Sequence, residues 1–231
     1  MLLIAADTSG KNGSIALARA PEFNCTDSSR IEILEVVPLE GGTFSAQLVP
    51  QIAALLAKQR FQKEDVGAYA VASGPGSFTG LRVGLAAIKA LGEVTGKPIA
   101  AVSLLEVLAA LATASGRVIS ALDAGRSEVY CGEYHVDASR ETAMISERLL
   151  TRSEFVQAAA GVAVITPDDV LADFARDAGL QVAEVEPVRA DSVARLGWSK
   201  LVRKQTVSPE DLEANYIRRS DAEIFAKAPG S

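Results

Sequence analysis

The chain has 231 residues, 48% of them apolar, enough for a substantial core in one large or two small domains. Its 29 Asp and Glu outweigh 23 Lys and Arg, and no basic block exceeds the pair Arg218 and Arg219. By itself such a surface is a poor ligand for nucleic acid, so any RNA role needs a partner that supplies positive charge. Cys25 and Cys131 lie far apart with no paired spacing, which fits a reducing compartment and not a disulfide scaffold. The apolar opening Leu2 to Ala6 stops at Asp7 and has no basic flank, so it reads as a first strand and not as a signal peptide. No apolar run reaches membrane-spanning length. The expectation is a soluble, cytoplasmic α/β protein without membrane contact.

In chain order, strands are predicted at 2–6, 13–19 and 30–37, with a surface loop at 21–29. A helix over 44–59 carries Phe44, Leu48, Ile52, Leu55 and Leu56 at helical spacing, with Pro50 near its start. A strand at 68–73 runs into Gly74-Pro75-Gly76-Ser77-Phe78-Thr79-Gly80-Leu81-Arg82-Val83-Gly84, and a helix over 79–94 leads out. Two small residues flanking a Pro suit a corner where backbone must come close to something else, and Ser77 or Thr79 can cap the helix. The corner is therefore an anion site, a close helix-packing site, or both. A strand at 98–102 and a helix at 103–114 follow. Beyond them the pattern gives strands at 128–136, 141–149 and 162–165 and helices from Ser153 to Ala160, at 168–178 and at 190–204. The tail from Pro209 to Arg218 has little periodicity and reads as an extended arm packed on the body.

The two halves repeat one device. Leu3-Ile4-Ala5-Ala6-Asp7-Thr8-Ser9-Gly10 before Ser14 to Ala18, and Ile119-Ser120-Ala121-Leu122-Asp123-Ala124-Gly125-Arg126 before Glu128 to Val136, are each a strand ending in Asp, a short turn and a returning strand. This points to a tandem duplication with lobes at 1–105 and 106–231. Duplicated units of this kind are how the actin, hexokinase and Hsp70 superfamily grips a magnesium nucleotide. On that reading Asp7, Thr8, Ser9, Gly76, Ser77 and Arg82 face a phosphate or metal. On the plainer one Asp7 accepts hydrogen bonds from its own turn. Against a phosphotransferase, Thr166-Pro167-Asp168-Asp169 stands where a Gly-Gly purine pocket belongs, an ordinary helix start. His135 is the only histidine and no Cys or His cluster exists, so no metal ligand set is expected. The helix 79–94 presents Gly80, Gly84, Ala87 and Leu91 along one side. A Gly inside a helix costs about 1 kcal/mol relative to Ala, which makes sense where another element comes close. The close neighbour is either another chain, through an intermolecular helix bundle, or the monomer's own core.

Several stretches resemble the TsaB (YeaZ) family: Ile4 to Ser9, Ser45-Ala46-Gln47-Leu48-Val49-Pro50, Gly74 to Gly84, Val102-Ser103-Leu104-Leu105-Glu106, Asp123 to Tyr130 and Tyr216-Ile217-Arg218. The resemblance runs in order over essentially the whole chain. It implies an actin-like (ASKHA, ribonuclease H-like) fold of two lobes, each a mixed sheet flanked by helices. It also implies a role in forming threonylcarbamoyladenosine beside the tRNA anticodon. Members are non-catalytic and pair with a TsaD-type catalyst through two N-lobe helices, which here makes Phe44, Leu48, Ile52, Leu55, Gly80, Gly84, Ala87 and Leu91 the implied interface. A TsaE-type P-loop ATPase joins the pair, and tRNA is met only through the complex. A homodimer is expected when the chain is alone. No cofactor is implied for this chain by itself, with ATP or ADP confined to the shared interface. TsaD-type relatives carry a His-x-x-x-His pair where this chain has Leu104 and Leu108. Many members have a histidine near position 44, where this chain has Phe44 and no histidine, and the loop at 20–30 is atypical. Arg82 and Arg126 are further candidates for anion contacts. The expected role is a scaffold subunit without chemistry of its own. The alternatives are an ATP-dependent phosphotransferase with Asp7 as magnesium organiser and a metallopeptidase-like hydrolase.

Overall fold

The computed structural model describes residues 1–21, 31–113 and 115–217. Cys25, Arg218 and Arg219, with most of the loop at 20–30, lie outside the described residues.

The first sheet has the order β3-β2-β1-β4-β5, formed by β1 (Leu2–Asp7), β2 (Gly13–Arg19), β3 (Glu32–Leu39), β4 (Val66–Gly74) and β5 (Ile99–Ser103). β1 is buried along its whole length because both faces of the sheet are covered, which is why it reads as a continuous apolar run. The alternation of strand side chains sorts the residues between two cores. Ile4, Ala6, Ile15, Leu17, Tyr69 and Val71 face α1 (Phe44–Lys58) and α2 (Phe78–Thr95). Leu3, Ala5, Ala16, Ala18, Ala68, Ala70 and Ala72 face the other way, towards a helix from the far end of the chain. α2 starts on Ser77, whose Oγ accepts from the Gly80 N–H at 3.3 Å. It stops at Gly96 in the left-handed region.

The second sheet repeats the first. Its strands are β6 (Gly116–Gly125), β7 (Glu128–Val136), β8 (Thr142–Thr151), β9 (Ala163–Thr166) and β10 (Val182–Glu184). Counted from the β8 edge its order is β8-β7-β6-β9-β10, the counterpart of β3-β2-β1-β4-β5. In both sheets the first three strands pair antiparallel and the fourth and fifth join parallel. α4 (Arg152–Ala158) and α5 (Asp169–Asp177) stand where α1 and α2 do. The expected tandem duplication of an actin-like unit is present. β10 escaped the sequence reading because three residues carry too little period to register.

The lobes interlock through their last helices. α3 (Leu104–Ala110) follows the first sheet but buries Leu105 and Leu108 against Val118, Tyr134 and Ile165 of the second. α6 (Ala190–Val202) follows the second sheet but buries Val193, Ala194 and Trp198 against the alanine face of the first. That face is made of alanines because α6 lies almost on the backbone: a Cβ on Gly197 would stand 2.4 Å from the Ala70 Cβ. Ser14 on β2 accepts from the Ala190 N–H at 2.9 Å and so ties the start of α6 to the first lobe. The division at 105/106 separates the two sheets, but the chain returns to the first lobe from Ala190 onwards. Up to residue 217 the tail is the extended arm that its sequence suggests: Val207 just before it bridges to Ile99, and Leu212 is buried in the first core.

Candidate functional site

The turn after β1 and the Gly-rich corner before α2 are fastened to each other. Asp7 is buried, and its Oδ1 accepts from the Ser9 N–H at 2.9 Å and the Ser9 hydroxyl at 2.6 Å. Burial raises its pKa above the ordinary 3.8, opposed by those two hydrogen bonds. The Thr8 hydroxyl donates to the Gly80 carbonyl at 2.7 Å, and the Ser77 N–H donates to the Ser9 carbonyl at 2.7 Å. The small residues are needed for this approach: a Cβ on Gly76 would stand 2.7 Å from the Ser9 oxygen, and one on Gly84 2.4 Å from Thr8 Oγ1. The close packing that the sequence allows the corner is present, and its neighbour is the β1 turn and not a second helix. Asp7, Thr8, Ser9, Gly76 and Ser77 are brought together, and Ser9, Gly76 and Ser77 line the cleft between the lobes.

A cleft of about 650 Å³ opens between the lobes beside this junction, lined among others by Ser9, Lys11, Gly76, Ser77, Asp123, Tyr130 and Asp168. The Asp123 N–H donates to Asp168 Oδ2 at 2.7 Å. The Asp168 pKa is raised by burial, with that bond opposing and the neighbouring Asp123 and Asp169 carboxylates adding to the rise. Thr166-Pro167-Asp168 is the counterpart of Gly74-Pro75-Gly76-Ser77, so each lobe fixes its first hairpin to the start of its second helix. Arg126 sits on the β6–β7 turn with φ of 53°. Among the described residues no three His, Cys, Asp or Glu side chains are grouped to hold a metal ion. Leu104 and Leu108 are buried, and His135 is exposed on β7.

On the outer face, α1 and α2 flank a groove of about 570 Å³ lined by Ser45, Leu48, Val49, Phe78, Thr79, Arg82, Val83, Ala86 and Ala87. The helical stripe that the sequence marks lies mostly beneath it. Phe44, Leu48, Ile52 and Leu55 are buried in the first core, and Gly80 and Gly84 meet Thr8. Ala87 and Leu91 are half-buried on the core's edge. What faces outward is the complementary set: Val49 is 47% exposed, Phe78 38% exposed, and Ala86 is exposed beside them. The stripe marked in the sequence thus lies on the inner faces of α1 and α2, because a core-facing stripe is the stronger periodic signal. Arg82 is not in the interlobe cleft. Its guanidinium lies 3.7 Å over the Phe78 ring and its Nε donates to the Tyr216 hydroxyl at 3.1 Å.

The sequence and the fold are similar to those of a known group of proteins. The TsaB protein named for tRNA threonylcarbamoyladenosine biosynthesis in Escherichia coli is 27% identical over 100% of this chain and 99% of its own length. The protein of the same name in Bacillus subtilis is 35% identical over 58% of this chain and 55% of its own. The solved structure of YeaZ from Pseudomonas aeruginosa superposes with a TM-score of 0.73 at 25% identity, over 93% of this chain and 99% of that one. The model of the family described as TsaD, tRNA N6-adenosine threonylcarbamoyltransferase, matches residues 36–163. The chain belongs to the TsaB (YeaZ) family, within the wider TsaD-like group. Among the described residues no helix is long and apolar enough to cross a membrane.

Proposed function

We propose that this chain is a non-catalytic subunit of the machinery that forms threonylcarbamoyladenosine next to the tRNA anticodon. Its task is to dock a TsaD-type catalytic chain on the groove between α1 and α2. The observation that supports this reading is an exposed apolar groove, with Val49, Phe78 and Ala86 at its surface, on an otherwise acidic molecule. The TsaD family model spans both helices, so a TsaD-type chain has counterparts of α1 and α2 to set against them. In isolation the same face takes a second copy of the chain. A TsaE-type ATPase and the tRNA join through the assembly, and ATP or ADP belongs to the shared interface, with no cofactor held by this chain alone.

The phosphotransferase alternative asks Asp7 to organise magnesium. Asp7 is buried and accepts two hydrogen bonds from Ser9, so no observation favours that second reading.

The test is reconstitution of tRNA modification from separately purified components. Product should form with the TsaD-type and TsaE-type partners only when this chain is added. Ala86→Glu, which places a charge in the groove without touching the core, should abolish both pairing and product while the melting temperature holds. Product made without this chain, or magnesium ATP binding to the isolated chain that is lost in Asp7→Ala, would overturn the proposal.

A further inference from the structure

The C-terminal arm does more than cover α2. Glu210 accepts from Lys89 through its carbonyl at 3.2 Å, Leu212 is buried in the first core, and the Asn215 N–H donates to the Ser73 carbonyl at 2.7 Å. The Asn215 amide also donates to Glu147 of β8, which accepts from Ser103 and Tyr134 as well. The arm is therefore anchored to both lobes immediately before Tyr216. That side chain, 42% exposed, lies against the groove: its ring centroid is 5.3 Å from that of Phe78, and its hydroxyl accepts from Arg82. Phe78 and Arg82 both line the groove.

We infer that Tyr216 is a positioning residue of the docking face, and that a TsaD-type partner meets a surface built from α1, α2 and the arm together. The inference rests on the docking reading above. An exposed Phe and an exposed Arg would otherwise sample several rotamers, and holding them before the partner arrives removes that entropic cost from binding. Tyr and Arg are also the residue types that dominate binding energy at interface centres. The tie from Asn215 to Glu147 makes the second lobe a contributor to the geometry of a surface on the first.

The experiment measures affinity for the purified TsaD-type partner by titration calorimetry, with melting temperature recorded for each variant. Tyr216→Ala should weaken pairing about tenfold, the loss expected of an interface anchor. Tyr216→Phe keeps the ring on Phe78 but removes the acceptor for Arg82, so its effect should be smaller. In an Arg82→Ala background Tyr216→Phe should have no further effect, because the hydroxyl acts through that arginine. Wild-type affinity in Tyr216→Ala, alongside lost pairing in Ala86→Glu, would overturn the inference and leave the docking reading standing. Wild-type affinity in Ala86→Glu would overturn both. Should Tyr216→Ala melt early, the two Tyr216→Phe measurements carry the test: full additivity with Arg82→Ala would overturn it.

Discussion

A methyl group on the Gly80 α-carbon would stand 2.0 Å from the carbonyl oxygen of Thr8, far inside contact distance. The obstacle is backbone, 72 residues away in sequence, and Thr8 is itself held by its hydroxyl bond to the Gly80 carbonyl. The start of α2 and the first turn of the chain are one rigid joint.

Gly80→Ala therefore separates helix propensity from packing. On an open helix the change would stabilise by up to about 1 kcal/mol. Here overpacking should prevail and destabilise the protein by about 2 kcal/mol or more. Urea denaturation of the purified variant measures the sign, and a gain in stability would contradict the joint.

Asp7 gives a pH dependence of defined direction. Burial raises its folded pKa above the unfolded 3.8, so between those values the folded state holds more protons than the unfolded chain. The Asp7 contribution is thus fully present below pH 3.8 and is lost as pH rises through the folded value. Asp7→Asn cannot ionise, and its Oδ1 can still accept from Ser9. Stability relative to wild type should shift in favour of Asp7→Asn as pH rises from acid to neutral. Parallel curves for the two proteins in pH-dependent urea denaturation would refute this.

Cys131 is buried on β7, where burial is the main cause that moves its thiol from 9.0 to about 11, with Arg148 opposing and Glu133 adding. The thiolate is the reactive form, and at pH 8 about one thiol in a thousand carries it. Alkylation of Cys131, followed by peptide mass spectrometry, should be slow in the native protein and fast in urea. Rapid native labelling at that position would show that the second core opens readily.

Glu147 collects hydrogen bonds from Ser103, Tyr134 and Asn215 at the junction of the lobes and the arm. Tyr134 is pushed far above its ordinary value by burial first and by Glu147 second. Glu147→Gln leaves one carbonyl acceptor where the carboxylate offers two oxygens to three donors, which should cost about 1 kcal/mol. Thermal unfolding tests the stability loss. A second readout is proteolysis at the arm, which should be faster in Glu147→Gln than in wild type.

Much of this was legible in the sequence because it depends on neighbours close in the chain. The apolar runs placed β1, β2 and β4, the stripe from Phe44 to Leu56 placed α1, and Ser77 before a helical pattern placed the start of α2. The repeat of strand, Asp and turn at Asp7 and Asp123 disclosed the duplication. Less visible was which surface would remain. Leu48 and Val49 are adjacent in sequence and both apolar, yet one is 1% exposed and the other 47% exposed. Nor could composition reveal that α3 and α6 exchange lobes, since an apolar helix face does not say which sheet will cover it.

What the chain fixed on its own was every strand but β10, the main helices and their twofold repetition, because side-chain period and turn chemistry act over a few residues. Only the tertiary structure decided that the small residues of the Gly-rich corner serve the Thr8 turn, and that Phe78, Arg82 and Tyr216 share one rim. The reason is physical: contacts between residues 72 or 134 positions apart arise when buried sheets and helices settle their packing, and no local pattern encodes that outcome.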